Sequence, residues 1–281
     1  MKIGQKIGEG SCSEVFEWEN DNKIIKLAKS NTNKIAMQRE FENNLAVWKM
    51  NVSVPQPFQI MEVANRTGMV LERIYGETLK ERLFKSLMKQ DHLVQSEIEW
   101  SDIQLTARLL SEIHHLTNID VPPQREIMKQ QILSVSYLNE EEKESVISIL
   151  NSLPQKSNLC HGDPNPNNML IRNGELVMID WMNASMGNPE TDIAEYIIMI
   201  KYAILPSDTP QNVVKNFDLV RENIIKVFMD EYTKLTGIGF GQVDPWIVPV
   251  ATRKLTADGI CEEEKQLLLK EIKLRINGRN K

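Results

Sequence analysis

The stretch CHGDPNPNNMLIRNGELVMIDW, Cys160 to Trp181, decides how the chain is read. Met169 to Arg172 and Glu175 to Ile179 are strand-like runs joined by Asn173-Gly174, a pair that tolerates the positive φ angles of a two-residue hairpin turn. A hairpin folds back on itself, so Asn168 before the first strand and Asp180 after the second arrive at one edge. Asp163 lies five residues ahead of Asn168. A carboxylate and an amide oxygen, completed by phosphate oxygens and water, form a donor set that Mg²⁺ accepts. Asp163 beside such a metal would accept a hydrogen bond from an incoming hydroxyl. Asn, Asp and Pro are also ordinary turn formers, so DPNPNN taken alone is equally a loop that bonds its own backbone.

Toward the N-terminus, Lys2 to Ile7 and Lys23 to Ala28 flank the glycine-rich IGEGSCSEVF, and the whole reads as three short strands. Backbone amides around Gly8, Gly10, Ser11 and Ser13, freed of bulk, can approach phosphates, although a hairpin without a ligand explains the same residues. Lys26 sits within the apolar run Ile24 to Leu27, where a charge is costly unless paired. Glu40, on a helix expected from Asn33 to Met50, can supply the partner; a solvent-facing Lys and Glu are the plainer alternative. Met37, Phe41, Leu45 and Trp48 are the expected core stripe of that helix. Two further strands, Phe58 to Val63 and Gly68 to Glu72, complete a small antiparallel β lobe over residues 1–75. From residue 76 to 281 the periodicity is mainly helical, with helices expected near Thr78 to Gln90, Ser96 to Leu116, Glu140 to Leu150, Pro189 to Leu205, Val213 to Leu235, Pro245 to Leu255 and Glu262 to Arg275.

The chain of 281 residues is long enough for two lobes, and 41% hydrophobic with 26% charged residues is an ordinary globular balance. The net charge of -6, without a Lys/Arg cluster, disfavours nucleic acid or an anionic membrane as partner. Glu195 and Lys201 interrupt the most apolar run, Ile193 to Leu205, so no membrane span is expected. Cys12, Cys160 and Cys261 are scattered and odd in number, with no metal-ligand spacing, which fits reduced thiols in a cytoplasmic protein. His114 and His115 read as packing or surface residues.

Taken together and in order, the glycine-rich turn, strand Lys, helix Glu, Asp-x4-Asn, hairpin and Asp resemble the protein-kinase-like superfamily, and more closely its aminoglycoside phosphotransferase (antibiotic and choline kinase) family. That family's His-Gly-Asp-x4-Asn and Ile-Asp-Trp patterns stand here as His161 to Asn168 and Ile179 to Trp181, and its Gly-Asp-Pro-x-x-Asp-Leu-Ala pattern as GNPETDIA, Gly187 to Ala194. The resemblance runs from Lys2 to about Tyr202. It implies an α+β, bilobal fold with a nucleotide-binding N-lobe and a helical C-lobe. It implies Asp163 as the catalytic aspartate, Asn168 and Asp180 as Mg²⁺ ligands, and Lys26 and Glu40 as the phosphate-positioning pair for ATP or GTP. Main-chain Glu72 C=O and Ile74 N–H would pair with adenine, and His161 and Asp192 would hold the catalytic loop. Ser13 for glycine and Asn188 for aspartate depart from the family pattern in loops.

Eleven residues, Trp181 to Thr191, separate Asp180 from Asp192, and no Ala-Pro-Glu follows, leaving little platform for a peptide. The expected acceptor is a small hydroxylated molecule held by helices after Pro206: an antibiotic, aminoglycoside first and macrolide second, ahead of a choline-like or sugar alcohol. Glu190, Glu195, Asp258 and Glu262 to Glu264 are candidate contacts for a polycation, the last run also reading as acidic residues meeting a helix dipole. A monomer is expected. A catalytically silent kinase-like binding protein is the rival reading, and it predicts loss of one of Lys26, Asp163, Asn168 or Asp180, all of which are present.

Overall fold

A computed structural model describes residues 3–19, 22–88 and 98–279. The chain opens with β1 (Ile3–Glu9), β2 (Ser13–Trp18), β3 (Lys23–Ala28), α1 (Lys34–Trp48), β4 (Pro57–Val63) and β5 (Arg66–Glu72). The strands form one antiparallel sheet in the order β1-β2-β3-β5-β4. The turn between β4 and β5 is tighter than the four residues expected: only Ala64 and Asn65, both at positive φ, connect the strands.

Alternation along the strands gives the sheet two apolar faces. Trp18, Ile25, Leu27 and Val70 cluster on one, while Ala28, Met69 and Leu71 face Met37 of α1 on the other. Lys26 lies between Ile25 and Leu27, so the pleat turns it toward α1.

Asn33 caps α1, its side chain accepting from Ala36 N at 2.9 Å. The expected core stripe holds only in part. The buried face is Met37, Glu40, Asn43, Asn44 and Val47, and Trp48 is 37% exposed. Three of these buried residues are polar or charged because they tie the helix to its surroundings: Glu40 pairs with Lys26, Asn43 Nδ2 donates to Trp181 O at 2.9 Å and Asn44 Nδ2 to Pro55 O at 2.8 Å. A stripe chosen by hydrophobicity alone misses such residues.

The rest of the chain is mainly helical. It runs β6 (Glu77–Thr78), α2 (Leu79–Met88), α3 (Trp100–His114), α4 (Gln124–Ser134), α5 (Glu140–Ser152), β7 (Asn158–Cys160), β8 (Met169–Arg172), β9 (Glu175–Met178), β10 (Ser185–Gly187), α6 (Glu190–Tyr202), α7 (Gln211–Thr236), α8 (Phe240–Val243), α9 (Ile247–Lys254) and α10 (Glu262–Arg279). Helix α4 was not expected; it buries only Gln124, Met128 and Ile132 among charged neighbours, too sparse a stripe to read. The β8–β9 hairpin turns at Asn173-Gly174, both at positive φ, as the dipeptide predicts.

Helix α6 lies at the centre of this part: every residue from Glu190 to Ile200 is buried. Tyr196 stacks on Phe228 of α7 at 4.2 Å between ring centroids, and Phe228 stacks on Tyr232. The run Ile193 to Leu205 is thus apolar because α6 is the core helix. Among the described residues, no helix is long and apolar enough to cross a membrane.

Gly76, in the connection between the two parts, has no room for a side chain, since a Cβ would fall 2.0 Å from Ile171 O on β8. Backbone cannot give way as a side-chain tip can. Gly76→Ala is therefore expected to cost at least about 2 kcal/mol in urea unfolding; a midpoint equal to wild type would show that the connection adapts freely.

Candidate active site

Three elements bring charges together at the junction of the sheet and the helical part. Lys26 of β3 reaches Glu40 of α1 at 2.5 Å and Asp180, just beyond β9, at 3.2 Å. Burial opposes the Lys26 ammonium, but Glu40 and then Asp180 outweigh it and raise its pKa, so it stays charged. Burial pushes the Glu40 carboxyl up, Lys26 pulls it down and Asp180 pushes it up again, leaving it at about 7. For Asp180 burial works against the charge, yet Lys26 holds it below the ordinary carboxylate range. Glu40 Oε2 is buried without a hydrogen-bond partner among the described residues. Two carboxylates thus share one ammonium, and the site is short of positive charge.

Asp180 also occupies the left-handed region, φ 66°, an uncommon conformation for a non-glycine residue. It turns the chain out of β9 into a short 3₁₀ turn at Trp181–Asn183 and leaves the side chain 41% exposed.

The segment from His161 to Asn168 is wired to the same place. Asn168 Nδ2 donates to Asp163 Oδ2 at 2.9 Å and to Asp163 O at 3.1 Å. Its Oδ1 accepts from none of the described residues. Ile179 N donates to Asn168 O at 2.9 Å, which sets Asn168 beside Asp180 at the hairpin edge. An amide oxygen and a carboxylate side by side, beside a carboxylate oxygen with no partner and with no sulfur or nitrogen donor among them, suit a hard divalent cation such as Mg²⁺. Asp163 is held above the usual carboxylate range, first by burial and then by Glu195.

His161 accepts from Asp163 N at Nδ1, 3.2 Å, and reaches Ile179 O through Nε2 at 3.0 Å, which places its proton on Nε2. Asp192, in the first turn of α6, accepts from His161 N at 2.6 Å and Gly162 N at 2.9 Å. Gly162 has φ +80° and a Cβ there would meet Asn183 O at 2.4 Å, so the bend needs glycine. From the far side, Arg253 of α9 donates to Gly162 O at 2.9 Å and to Glu195 at 2.7 Å, and Lys254 reaches Glu195 at 2.7 Å.

The glycine-rich segment lies at the end of the β1–β2 hairpin. Gly8 is within β1, Gly10 and Ser11 are in the turn, and Ser13 opens β2 with its side chain buried. Ser13 therefore meets the turn through its backbone, accepting from Gly10 N at 2.9 Å. Glu72 ends β5, its side chain bonded to Arg172 at 2.7 Å and to Gln56 N at 3.1 Å, and Ile74 follows in the connection to β6.

Some readings need correction. Glu190 and Glu195 do not present charge to a ligand: both are buried, paired with Lys156 and with Arg253 and Lys254. Glu262 accepts from Tyr137 and Gln266 in the first turn of α10, as the helix-dipole reading requires. His114 is more than packing. It links Tyr232 OH at 2.7 Å to Asp192 at 3.1 Å, and so supports the residue that holds the His161–Gly162 amides. His114, Cys160 and Asp192 have potential ligand atoms within 4.8 Å of one another, but both His114 nitrogens and both Asp192 oxygens are already hydrogen-bonded, so the cluster is a structural network. No spacing rule connects His114, Arg253 or Lys254 to the Asp163 loop; their one signal was a charged or polar residue inside a helical pattern.

A model of the phosphotransferase enzyme family, APH, matches residues 5–217. Among solved structures, a thermostable mutant of aminoglycoside phosphotransferase APH(4)-Ia superposes with a TM-score of 0.65 at 13% identity, covering 99% of this chain and 94% of that one. Choline kinase LicA from Streptococcus pneumoniae gives a TM-score of 0.66 at 15% identity over 99% and 94%. Amicoumacin kinase hAmiN gives 0.59 at 12% over 99% and 88%. At these identities the likeness is one of fold. A search of curated protein sequences gave no match.

The shared ammonium has a consequence for stability. The Glu40 carboxyl titrates at about 7 against an ordinary 4.5, so the folded chain binds this proton more tightly than the unfolded chain. Its contribution is complete below the unfolded value and is lost as pH rises toward the folded one. Asp180→Asn removes the second carboxylate; urea unfolding at about pH 5 and about pH 7 is expected to show a smaller loss of stability than in wild type. An equal loss would mean that Asp180 does not perturb Glu40.

Proposed function

We propose that this chain, which belongs to the phosphotransferase enzyme family, is a nucleotide-dependent kinase of small molecules that transfers the γ-phosphoryl group of ATP, or GTP, to a hydroxyl, with Asp163 as the catalytic residue. The observation that carries this reading is the convergence of Lys26, Glu40 and Asp180 beside the Asp163–Asn168 loop. Lys26, steadied by Glu40, lies where it can bind α- and β-phosphates. Asn168 and Asp180 would hold Mg²⁺, which when bound offsets the negative charge of the phosphate oxygens. The turn at Gly10 and Ser11 covers the phosphates, and Glu72 and Ile74 pair with the base through their main chain.

Asp163 is placed to accept a hydrogen bond from the acceptor hydroxyl and to take its proton as the oxygen–phosphorus bond forms and the bond to the leaving nucleoside diphosphate breaks. The Asn168 amide donates to Asp163 Oδ2, leaving Oδ1 for the acceptor. His161, Asp192 and Arg253 act through the backbone: they hold the peptide groups around Gly162 from both sides and so aim Asp163. Raised by burial, Asp163 should lose its base function at a higher pH than an ordinary aspartate as the solution is acidified.

For the acceptor we favour an antibiotic, an aminoglycoside before a macrolide. Support is the family and the fold shared with aminoglycoside and amicoumacin kinases. Because Glu190 and Glu195 are internally neutralised, Glu264 is buried and Glu262 is bonded to Tyr137 and Gln266, Asp258 and Glu263 are the candidate carboxylates left for a polycation. The same neutralisation favours, as a second reading, a less charged acceptor such as a choline-like or sugar alcohol. We place the protein in the cytoplasm as a monomer.

Asp163→Asn should lower kcat by about 10²–10⁴ with Mg-ATP binding retained. Near-normal turnover would remove Asp163 from the role. Resistance tests with aminoglycosides and macrolides, beside ATP-consumption assays on choline and sugars, decide the acceptor; protection from no drug with turnover of an alcohol would establish the second reading.

A further inference from the structure

The turn Gly10-Ser11-Cys12 is held along one side by the segment that follows β3. Lys29 Nζ donates to Gly10 O at 2.7 Å, Asn31 Nδ2 donates to Ser11 O at 3.1 Å, and Lys29 N donates to Cys12 O at 2.9 Å. All three carbonyls of the turn are taken by residues 29–31. The donors are themselves oriented. Lys29 Nζ also pairs with Glu9, which in turn meets Lys6, and Asn31 Oδ1 accepts from Thr32 Oγ1 at 3.2 Å, which turns its Nδ2 to the glycine-rich side. Thr32 N closes the small loop on Lys29 O at 3.0 Å.

A trans peptide group points its C=O and N–H in opposite directions. Fixing Gly10 O toward Lys29 therefore turns Ser11 N–H away from residues 29–31, and fixing Ser11 O toward Asn31 does the same for Cys12 N–H. Neither amide has an acceptor among the described residues. Two adjacent free N–H groups facing the same side form an anion-binding concavity of the kind that phosphates occupy.

We propose that Lys29 and Asn31 are positioning residues for the nucleotide, which fix the turn so that the Ser11 and Cys12 amides face its phosphates. This rests on the nucleotide-binding reading of the turn given above. Neither side chain touches the nucleotide. Each acts by denying the turn the alternative peptide orientation, in which carbonyl oxygens would meet phosphate oxygens. Without the pins the turn has glycine's freedom to flip at Gly10, and the ordering cost falls on nucleotide binding.

The test uses the full chain with Asn31→Asp, nearly isosteric but without the amide donor, and Lys29→Met, which keeps length and loses the charge. Lys29→Arg serves as the conservative control. Mg-ATP affinity is expected to weaken about tenfold in N31D, which loses the hydrogen bond to Ser11 O, and in K29M, which loses the one to Gly10 O together with the Glu9 pair, and to stay near wild type in K29R. At saturating Mg-ATP, kcat should stay within about threefold of wild type, a split that general destabilisation would not give.

A second readout needs no nucleotide. In a Cys261→Ser background, with Cys160 buried, iodoacetamide labelling reports on Cys12; its rate should rise several-fold in N31D and K29M at unchanged melting temperature. Unchanged Cys12 labelling in both variants overturns the proposal, as does unchanged Mg-ATP affinity. If wild type fails to bind Mg-ATP while labelling still accelerates, the pins are real and the nucleotide-binding reading of the turn is what fails.

Discussion

One ammonium shared between two carboxylates is the constraint on which the rest of the structure depends. Lys26 comes from the sheet, Glu40 from the helix that crosses it, and Asp180 from the end of a hairpin in the helical part. A buried charge without partners costs several kcal/mol, so Lys26 can stay in its apolar strand only while both other elements are in place. The three elements are thereby registered against one another across the junction. Asn43 strengthens this: one turn of α1 beyond Glu40, it bonds the carbonyl of Trp181, the residue after Asp180. Helix α1 thus holds the Asp180 turn twice, once by charge and once by a hydrogen bond.

The arrangement also concentrates negative charge at the junction. Among the described residues, Glu40 Oε2 has no hydrogen-bond partner and Asn168 Oδ1 accepts from none. Excess negative charge is costly in a folded core unless something compensates it, and function is the usual reason for keeping it. Asp180 adds backbone strain to the same spot.

Around Asp163 the logic is different. Few side chains touch the aspartate directly; the surrounding charges act on the backbone. Asp192 takes two amide hydrogens, Arg253 takes the Gly162 carbonyl, and His114 and Glu195 orient those two residues in turn. The Gly162–Asp163 peptide, its carbonyl held by Arg253 and its N–H by His161 Nδ1, cannot rotate freely, and the Asp163 carboxylate inherits that rigidity. Helix α6, buried from Glu190 to Ile200 by its apolar residues, carries both Asp192 and Glu195, three residues apart on one face, into this network.

Much of this was legible beforehand where the signal is local. The Asn173-Gly174 turn, the hairpin it closes, the strand around Lys26 and the Asn33 cap follow from backbone preferences that act over a few residues, and so does the start of α5 at Glu140, though the helix runs two residues past the expected Leu150. The proximity of Asn168 to Asp180 was likewise readable, because a hairpin's geometry is fixed by its turn and converts sequence spacing into proximity. The inward face of α1 was not legible, since Asn43 and Asn44 are buried only by partners far away in sequence. Nor was the role of Arg253, Lys254 and His114, or the spending of Glu190 and Glu195 on internal ion pairs. Each of these joins residues from separate helices, and which helices meet is decided by how the whole apolar surface packs. Short-range preference is written in the order of residues; long-range pairing exists only once the core has closed.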